Sequence, residues 1–245
     1  MSRNNSNPIL EAKGLRCGYK NIVTADNVSF AINPAEILGF IGLNGAGKTT
    51  LIKTLMGLRT SLAGNVITPA ADKIAYLPER FMPPLSLSGE AFISFAAGLY
   101  KYEISKDALA AEAAKLRLSA SQLKKPIGSY SKGMRQKIGL LSTLMMPVDL
   151  IILDEPMNGL DPAGRDAVKK IMIDAKAQGR SVFFTSHILS DMAEICARVI
   201  ILHDQNLRYD GPPDTLLSEN NTQSLEKAFL NKIMYNDNDM TQQAA

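Results

Sequence analysis

An unbroken apolar run, Ile37-Leu38-Gly39-Phe40-Ile41, leads straight into Gly42-Leu43-Asn44-Gly45-Ala46-Gly47-Lys48-Thr49, and helical spacing takes over from Lys48 to Leu58. Few junctions limit a chain so strongly. A buried strand must end on a glycine-rich loop and a helix must start on the loop's last residues. That is the setting in which G-x-x-x-x-G-K-[ST] holds nucleotide phosphates. The glycines let backbone N–H groups turn inward, and the helix presents its positive end to the anion. Lys48 can reach the β- and γ-phosphates as a point charge, and the Thr49 hydroxyl can ligate Mg²⁺. Asn44, Gly45, Ala46, Gly47 and Thr50 complete the candidate cradle. A turn-rich β–α junction without a ligand is the competing reading of the same residues. It loses ground once the carboxylates further along are counted.

Those carboxylates close a second apolar run, Leu150-Ile151-Ile152-Leu153-Asp154-Glu155-Pro156. A wholly apolar strand belongs inside a parallel sheet, so its carboxyl end lies beside the phosphate loop at the same edge. Asp154 is then placed to hold the Mg²⁺ shell, and Glu155 to accept the proton of an attacking water. A positioned general base supplies about 10²–10⁴ in rate. Taken alone, the pair would be two exposed acids at a strand end. The upstream loop tips the balance toward chemistry.

The remaining sequence frames these two junctions. Ile9 to Tyr19 and Ile22 to Ile32 read as antiparallel strands, with turn signals at Gly18, Asn21 and Asn33-Pro34. Ser61 to Asn65 reads as a turn, followed by short strands at Val66-Ile67 and Lys73 to Leu77. Helical spacing then dominates residues 81 to 146, over Glu90–Tyr100, Lys106–Leu118 and Lys132–Met146. After the acidic strand come a helix over Pro162–Gln178 with Asp161 as N-cap, a strand over Ser181–Thr185, a helix over Leu189–Ala197 and a hairpin over Val199–Tyr209. Gly211-Pro212-Pro213 breaks the pattern, and the Asn-, Asp- and Gln-rich tail after Tyr235 predicts disorder. Strands, then helices, then strands again mean a helical insertion in an α/β domain. The expected division is 1–80 with 147–220 as the core, 81–146 as the insertion and 221–245 as a partly disordered extension.

The bulk numbers exclude several classes. At 245 residues with 46% apolar composition, the chain can bury a substantial core. A net charge of +3 without a basic block argues against a nucleic-acid partner. Cys17 and Cys196 sit singly in apolar surroundings, as buried thiols of a reducing compartment do. The N-terminus is polar, and no run of about eighteen apolar residues occurs, so the chain is expected to be soluble, cytoplasmic and not itself membrane-spanning.

Just upstream of the acidic strand lies Ser129-Tyr130-Ser131-Lys132-Gly133-Met134-Arg135-Gln136. It resembles the L-S-G-G-Q signature of ATP-binding cassette (ABC) proteins. The order of motifs resembles that family too: phosphate loop, helical segment, signature, acidic strand, Asn158-Gly159-Leu160-Asp161, then His187 after a strand. The likeness covers residues 9 to 217, and its phrasing is similar to the ATP-binding subunits of ABC-2-type exporters. It implies an α/β fold: a P-loop NTPase (RecA-like) core with an N-terminal antiparallel β-subdomain and an inserted α-helical subdomain.

The resemblance also assigns roles. Tyr19 would stack on adenine, Ser131 and Gly133 would bind the γ-phosphate from an opposite subunit, and His187 would contact the γ-phosphate and position water. Asp161 would both cap its helix and touch the other subunit. Three departures stand out. Glu79, in Tyr76-Leu77-Pro78-Glu79, occupies the place of a Gln that reaches Mg²⁺, and in the signature Lys132 replaces a Gly and Met134 the Gln. The implied activity is ATP hydrolysis with Mg²⁺ by a dimer of this chain, coupled to separate integral membrane permease subunits at the inner face of the cell membrane. The loop from Glu79 to Leu87, with Phe81 and Met82 read as exposed, would meet the permease. A soluble ABC ATPase acting on the ribosome or nucleic acid is the alternative, though such proteins carry paired cassettes or a long coiled-coil insertion. A P-loop kinase or GTPase has no use for the signature, and a non-hydrolysing regulator has none for Glu155 with His187.

Overall fold

The computed structural model describes residues 7–19 and 22–242. Asn21, the polar leader through Ser6 and residues 243–245 lie outside them. The chain opens with β1 (Leu10–Tyr19) and β2 (Ile22–Ile32), paired antiparallel. Then come β3 (Ile37–Ile41), α1 (Lys48–Leu55), β4 (Ala63–Ile67) and β5 (Ile74–Leu77). Residues 89–144 contribute α2 (Gly89–Leu99), α3 (Lys106–Lys115), α4 (Ala120–Leu123) and α5 (Lys132–Leu144). The sequence returns to α/β with β6 (Leu150–Leu153), α6 (Pro162–Ala177), β7 (Ser181–Thr185), α7 (Leu189–Ile195), β8 (Arg198–His203) and β9 (Asn206–Gly211). It ends with α8 (Pro213–Glu219) and α9 (Leu225–Gln242).

The strands make two sheets. A small antiparallel sheet has the order β2-β1-β4, and a larger one runs β5-β6-β7-β3-β8-β9. In the larger sheet β5, β6, β7, β3 and β8 are parallel, and only β9 turns back. Both faces are buried, which is why β3, β6 and β7 carry no polar alternation. Ile37, Ile41, Ile151, Leu153, Val182 and Phe184 face the layer of helices. Leu38, Phe40, Leu150, Ile152 and Phe183 face α1 and the small sheet, where Phe40 and Phe183 stack with ring centroids 5.5 Å apart. The parallel order brings the carboxyl ends of β5, β6, β7 and β3 to one edge, with Leu77 opposite Leu153, Leu153 opposite Phe184, and Phe40 opposite Thr185.

Several expectations need correction. The turn expected at Ser61–Asn65 is in part strand β4, which pairs with β1. Gly64 belongs there because it has φ +79° and a Cβ on it would lie 2.2 Å from the Gly14 carbonyl oxygen. Pro213 does not merely break the pattern but opens α8, where a missing N–H costs nothing. Helix α9 continues past Tyr235 to Gln242, and residues 243–245 of the tail expected to be disordered lie outside the described residues. Leu225, Ala228, Phe229 and Ile233 anchor that helix in the core, and once the costly first turns are fixed each further residue extends it with no proline or glycine to stop it. Phe81 is not an exposed docking residue: it packs on the core, edge-on to Phe92 with centroids 5.6 Å apart, while Met82 beside it projects, 87% exposed.

Candidate active site

The phosphate loop has its shape for local reasons. Gly45 and Gly47 have φ of +83° and +94°, a region closed to most side chains. Gly47 is the N-cap residue of α1, and no side chain caps that helix, so its first N–H groups open toward the loop. Lys48, almost fully buried, folds back so that Nζ donates to the carbonyls of Gly42 (2.7 Å) and Leu43 (3.2 Å). Two of its protons thereby brace the loop, and an ammonium has a third for a ligand.

Asp154 leaves the end of β6 and is 1% exposed. Its Oδ2 accepts from the Thr49 hydroxyl at 2.7 Å and its Oδ1 from the Thr185 hydroxyl at 2.7 Å. The phosphate loop, β6 and β7 are thus tied through one carboxylate. Glu155, also buried, adopts φ +54°, unusual for a residue with a side chain. Its N–H donates to Thr185 Oγ1 (2.8 Å), and its Oε2 lies 2.8 Å from His187 Nδ1 and 3.3 Å from the His187 backbone N–H. A proton on Nδ1 completes the His187–Glu155 bond. Behind the pair, the Gln136 amide on α5 donates to the Pro156 carbonyl at 3.0 Å, with the Glu155 carbonyl at 3.5 Å. The Tyr76 hydroxyl on β5 is buried without a hydrogen-bond partner among the described residues. Burial first, then the Asp154 and Glu79 carboxylates, hold it well above the usual phenol range.

The phosphate loop, the two acids and His187 line a cleft of about 430 Å³. Of the residues singled out by sequence, Asn44, Gly45, Gly47, Lys48, Thr49, Thr50, Glu79, Asp154, Glu155 and His187 border it. Thr24, which no pattern marks in the sequence, and Asn158, the first residue of the Asn158-Gly159-Leu160-Asp161 motif, border it as well. Ala46 lines an adjoining hollow with Thr24, His203 and Gln205, and its N–H donates to the Leu43 carbonyl (3.1 Å). Tyr19, Ser131, Gly133 and Asp161 lie outside the cleft. Tyr19 ends β1 with its ring 4.8 Å below the Arg59 guanidinium. Ser131 caps α5 by accepting from the Met134 N–H (3.2 Å), and Asp161 caps α6 by accepting from the Gly164 N–H (2.6 Å).

The donor set suits a magnesium polyphosphate. Glu79, Asp154 and Glu155 line the cleft together with Lys48, so a bare polyphosphate would meet more carboxylates than ammonium groups. A divalent cation reverses that balance. Among the described residues no cluster of three or more His, Cys, Asp or Glu could cage a metal alone. Mg²⁺ needs none, since it binds through one or two protein oxygens together with phosphates and water.

Comparison with known proteins agrees with this geometry. The family model described as ABC transporter matches residues 25–158. An ABC transporter ATP-binding protein of Nostoc sp. (strain PCC 7120), all4389, is 36% identical over 86% of this chain and 67% of its own length. A Synechocystis relative, sll0415, 38% identical over 71% of this chain, is spanned over only 52% of its length. The lantibiotic transport ATP-binding protein SrtF of Streptococcus pyogenes is 29% identical over 93% of this chain and 98% of SrtF. A solved structure of an ATP-binding subunit of an ABC transporter superposes with a TM-score of 0.83 at 28% identity, covering 91% of this chain and 99% of that one.

Proposed function

This chain belongs to the ABC transporter family, as an ATP-binding subunit, and from that premise we propose that it hydrolyses ATP as a dimer and drives separate membrane-spanning permease subunits in export. One observation carries the proposal: Lys48, Thr49, Asp154, Glu155 and His187 meet at a single cleft, with the Glu155 carboxylate held 2.8 Å from His187. Binding alone would not require a buried carboxylate aimed in this way. Export is supported by the resemblance to ABC-2-type exporters and by the likeness to a lantibiotic transport protein.

Loop N–H groups and the Lys48 ammonium bind the β- and γ-phosphates at the positive end of α1. Thr49, Asp154 and Glu79 would hold Mg²⁺, which when bound would neutralise phosphate charge. Glu155 takes the proton of the attacking water, while His187 fixes that carboxylate and faces the γ-phosphate. Tyr19 carries the adenine. Ser131 and Gly133 of a second copy close over the γ-phosphate, and Asp161 lies at the contact between copies. Among the described residues no helix is long and apolar enough to cross a membrane, which fits a permease supplied by other chains. This subunit then sits at the inner face of the membrane. Its docking surface is the loop of residues 79–87, through the projecting Met82 and Leu85.

The test is Glu155→Gln. Hydrolysis should fall by about 10²–10⁴, ATP affinity should persist, and the variant should accumulate as a dimer in Mg-ATP, seen by light scattering. Wild-type hydrolysis, or a variant that stays single at saturating Mg-ATP, both alone and in its assembled complex, would overturn the reading. Co-purification with a soluble partner instead of a membrane protein would overturn its transport half.

A further inference from the structure

The backbone that carries Glu155 is held from both sides by groups to which the proposed chemistry gives no task. Glu155 has φ +54° and precedes Pro156. A following proline favours extended conformations, and a Cβ disfavours the left-handed region. Left to local preference, the residue would extend, and its carboxylate would swing away from the cleft. On the amino side, Thr185 Oγ1 accepts the Glu155 N–H at 2.8 Å while donating to Asp154. On the carboxyl side, the buried Gln136 amide donates to the Pro156 carbonyl at 3.0 Å and faces the Glu155 carbonyl at 3.5 Å. Gln136 lies one turn into α5, a helix well anchored through Ile138, Leu140 and Leu141, so its amide is a fixed point.

We propose that Gln136 is a positioning residue for hydrolysis: from α5 it holds the Glu155–Pro156 backbone in the left-handed turn that aims the Glu155 carboxylate at His187 and the cleft. The inference rests on the reading of Glu155 as the general base. Gln136 does not line the cleft and its amide faces the Glu155 and Pro156 carbonyls, so its loss should act through the placement of the carboxylate and leave ATP binding alone. Misplacing a reacting group by an ångström can cost about a hundredfold in rate.

The test is Gln136→Met in the full chain, which keeps the length of the side chain and removes the donor, assayed by steady-state ATP hydrolysis and by equilibrium ATP binding. We expect kcat to fall ~10- to 100-fold with KM and ATP affinity within about twofold of wild type. Adding Gln136→Met to Glu155→Gln should leave the residual hydrolysis unchanged, because the carboxylate it aims is already gone. A merely structural role predicts the opposite, a further loss in the double variant. Should Gln136→Met not fold, Gln136→Asn retracts the amide by one methylene and carries the same comparison. Wild-type kcat in the single variant, or additive losses in the double, overturns the inference. Glu155→Gln inactive beside a fully active Gln136→Met refutes this inference alone, whereas a fully active Glu155→Gln removes both it and the reading beneath it.

Discussion

Alanine at Gly47 and at Gly45 separates two constraints that the phosphate loop combines. Both residues are left-handed, with φ of +94° and +83°. They differ in what a methyl group would meet. At Gly45 nothing lies within 4 Å. At Gly47 a Cβ would sit 2.6 Å from Thr24 Cβ and 2.9 Å from the Thr24 carbonyl oxygen, far inside the ~3.5–4.0 Å optimum between carbon atoms. An L-residue in this region costs roughly 1–2 kcal/mol, and stiffening the unfolded chain returns ~0.4–1 kcal/mol. Gly45→Ala should therefore destabilise by about 1 kcal/mol. Gly47→Ala adds the overlap with a strand backbone, ~1–3 kcal/mol by the measure of overpacked cores, for a total of about 2–4 kcal/mol. Against a whole-domain stability of ~5–15 kcal/mol both variants remain folded. With a urea m-value of ~3 kcal/mol/M, the midpoints should drop by about 0.3 M for Gly45→Ala and about 1 M for Gly47→Ala. The measurement is urea unfolding without nucleotide, so that contacts to phosphate do not enter. Coincident midpoints at equal m would refute the claim that packing against Thr24, and not backbone conformation alone, fixes glycine at 47.

Two further outcomes follow from single contacts. Lys132 is exposed, and its stem runs along Gly159, where a Cβ would stand 3.6 Å from Lys132 Cδ; with the side chain directed along that turn, Lys132→Gly should keep measurable ATPase activity, and a dead enzyme would show that the lysine serves the phosphate. Glu226 on α9 accepts from the Ser190 N–H at the start of α7 (3.1 Å) and from the Ser224 hydroxyl (2.8 Å). Burial works to raise its carboxyl, but hydrogen bonds from its own backbone, Ser224 and Ser190 outweigh it and hold the group below its ordinary value. A depressed folded pKa gives stability that is present above the unfolded value of roughly 4.3 and lost as pH falls through the folded one. The gap in urea midpoint between wild type and Glu226→Gln should therefore narrow below about pH 4, and a gap independent of pH would contradict it.

Much of the sheet was legible because burial on both faces writes itself as unbroken apolar runs. Ile37–Ile41 and Leu150–Leu153 are such runs, Ser181–Thr185 has one at its centre, and all three appear in the sequence with the bounds they have in the structure. Reading them as parallel predicts that whatever follows each strand meets at one edge, and the residues after β3, β6 and β7 do line one cleft. The small sheet was less legible, because Gly64 and Asn65 speak for a turn wherever sequence alone is consulted. Pairing with β1 makes a strand there, and its close approach to Gly14 leaves no room for a side chain at Gly64. The docking of α9 was hidden for a different reason. Its apolar residues, Leu225, Ala228, Phe229 and Ile233, precede a polar stretch that dilutes the pattern, and the composition of the tail outweighed the spacing of its first turns.

Thr185 shows where such reading stops. As the last residue of a buried strand it satisfies the apolar pattern as a β-branched residue, and valine would satisfy it equally. The structure asks more of it. Its hydroxyl must donate to Asp154 and accept from the Glu155 N–H at once, at 2.7 Å and 2.8 Å, and a methyl group can do neither. Leaving those two buried partners unmatched would cost roughly 1–3 kcal/mol for each and would free both acids from the sheet that aims them. Gln136 poses the same problem on a helix. Its position on the buried face of α5 reads as core, while its partners are carbonyls about twenty residues away in sequence. Periodicity reports which face a residue occupies. It does not report which hydrogen bonds that face must make, and in this site those bonds decide where the carboxylates point.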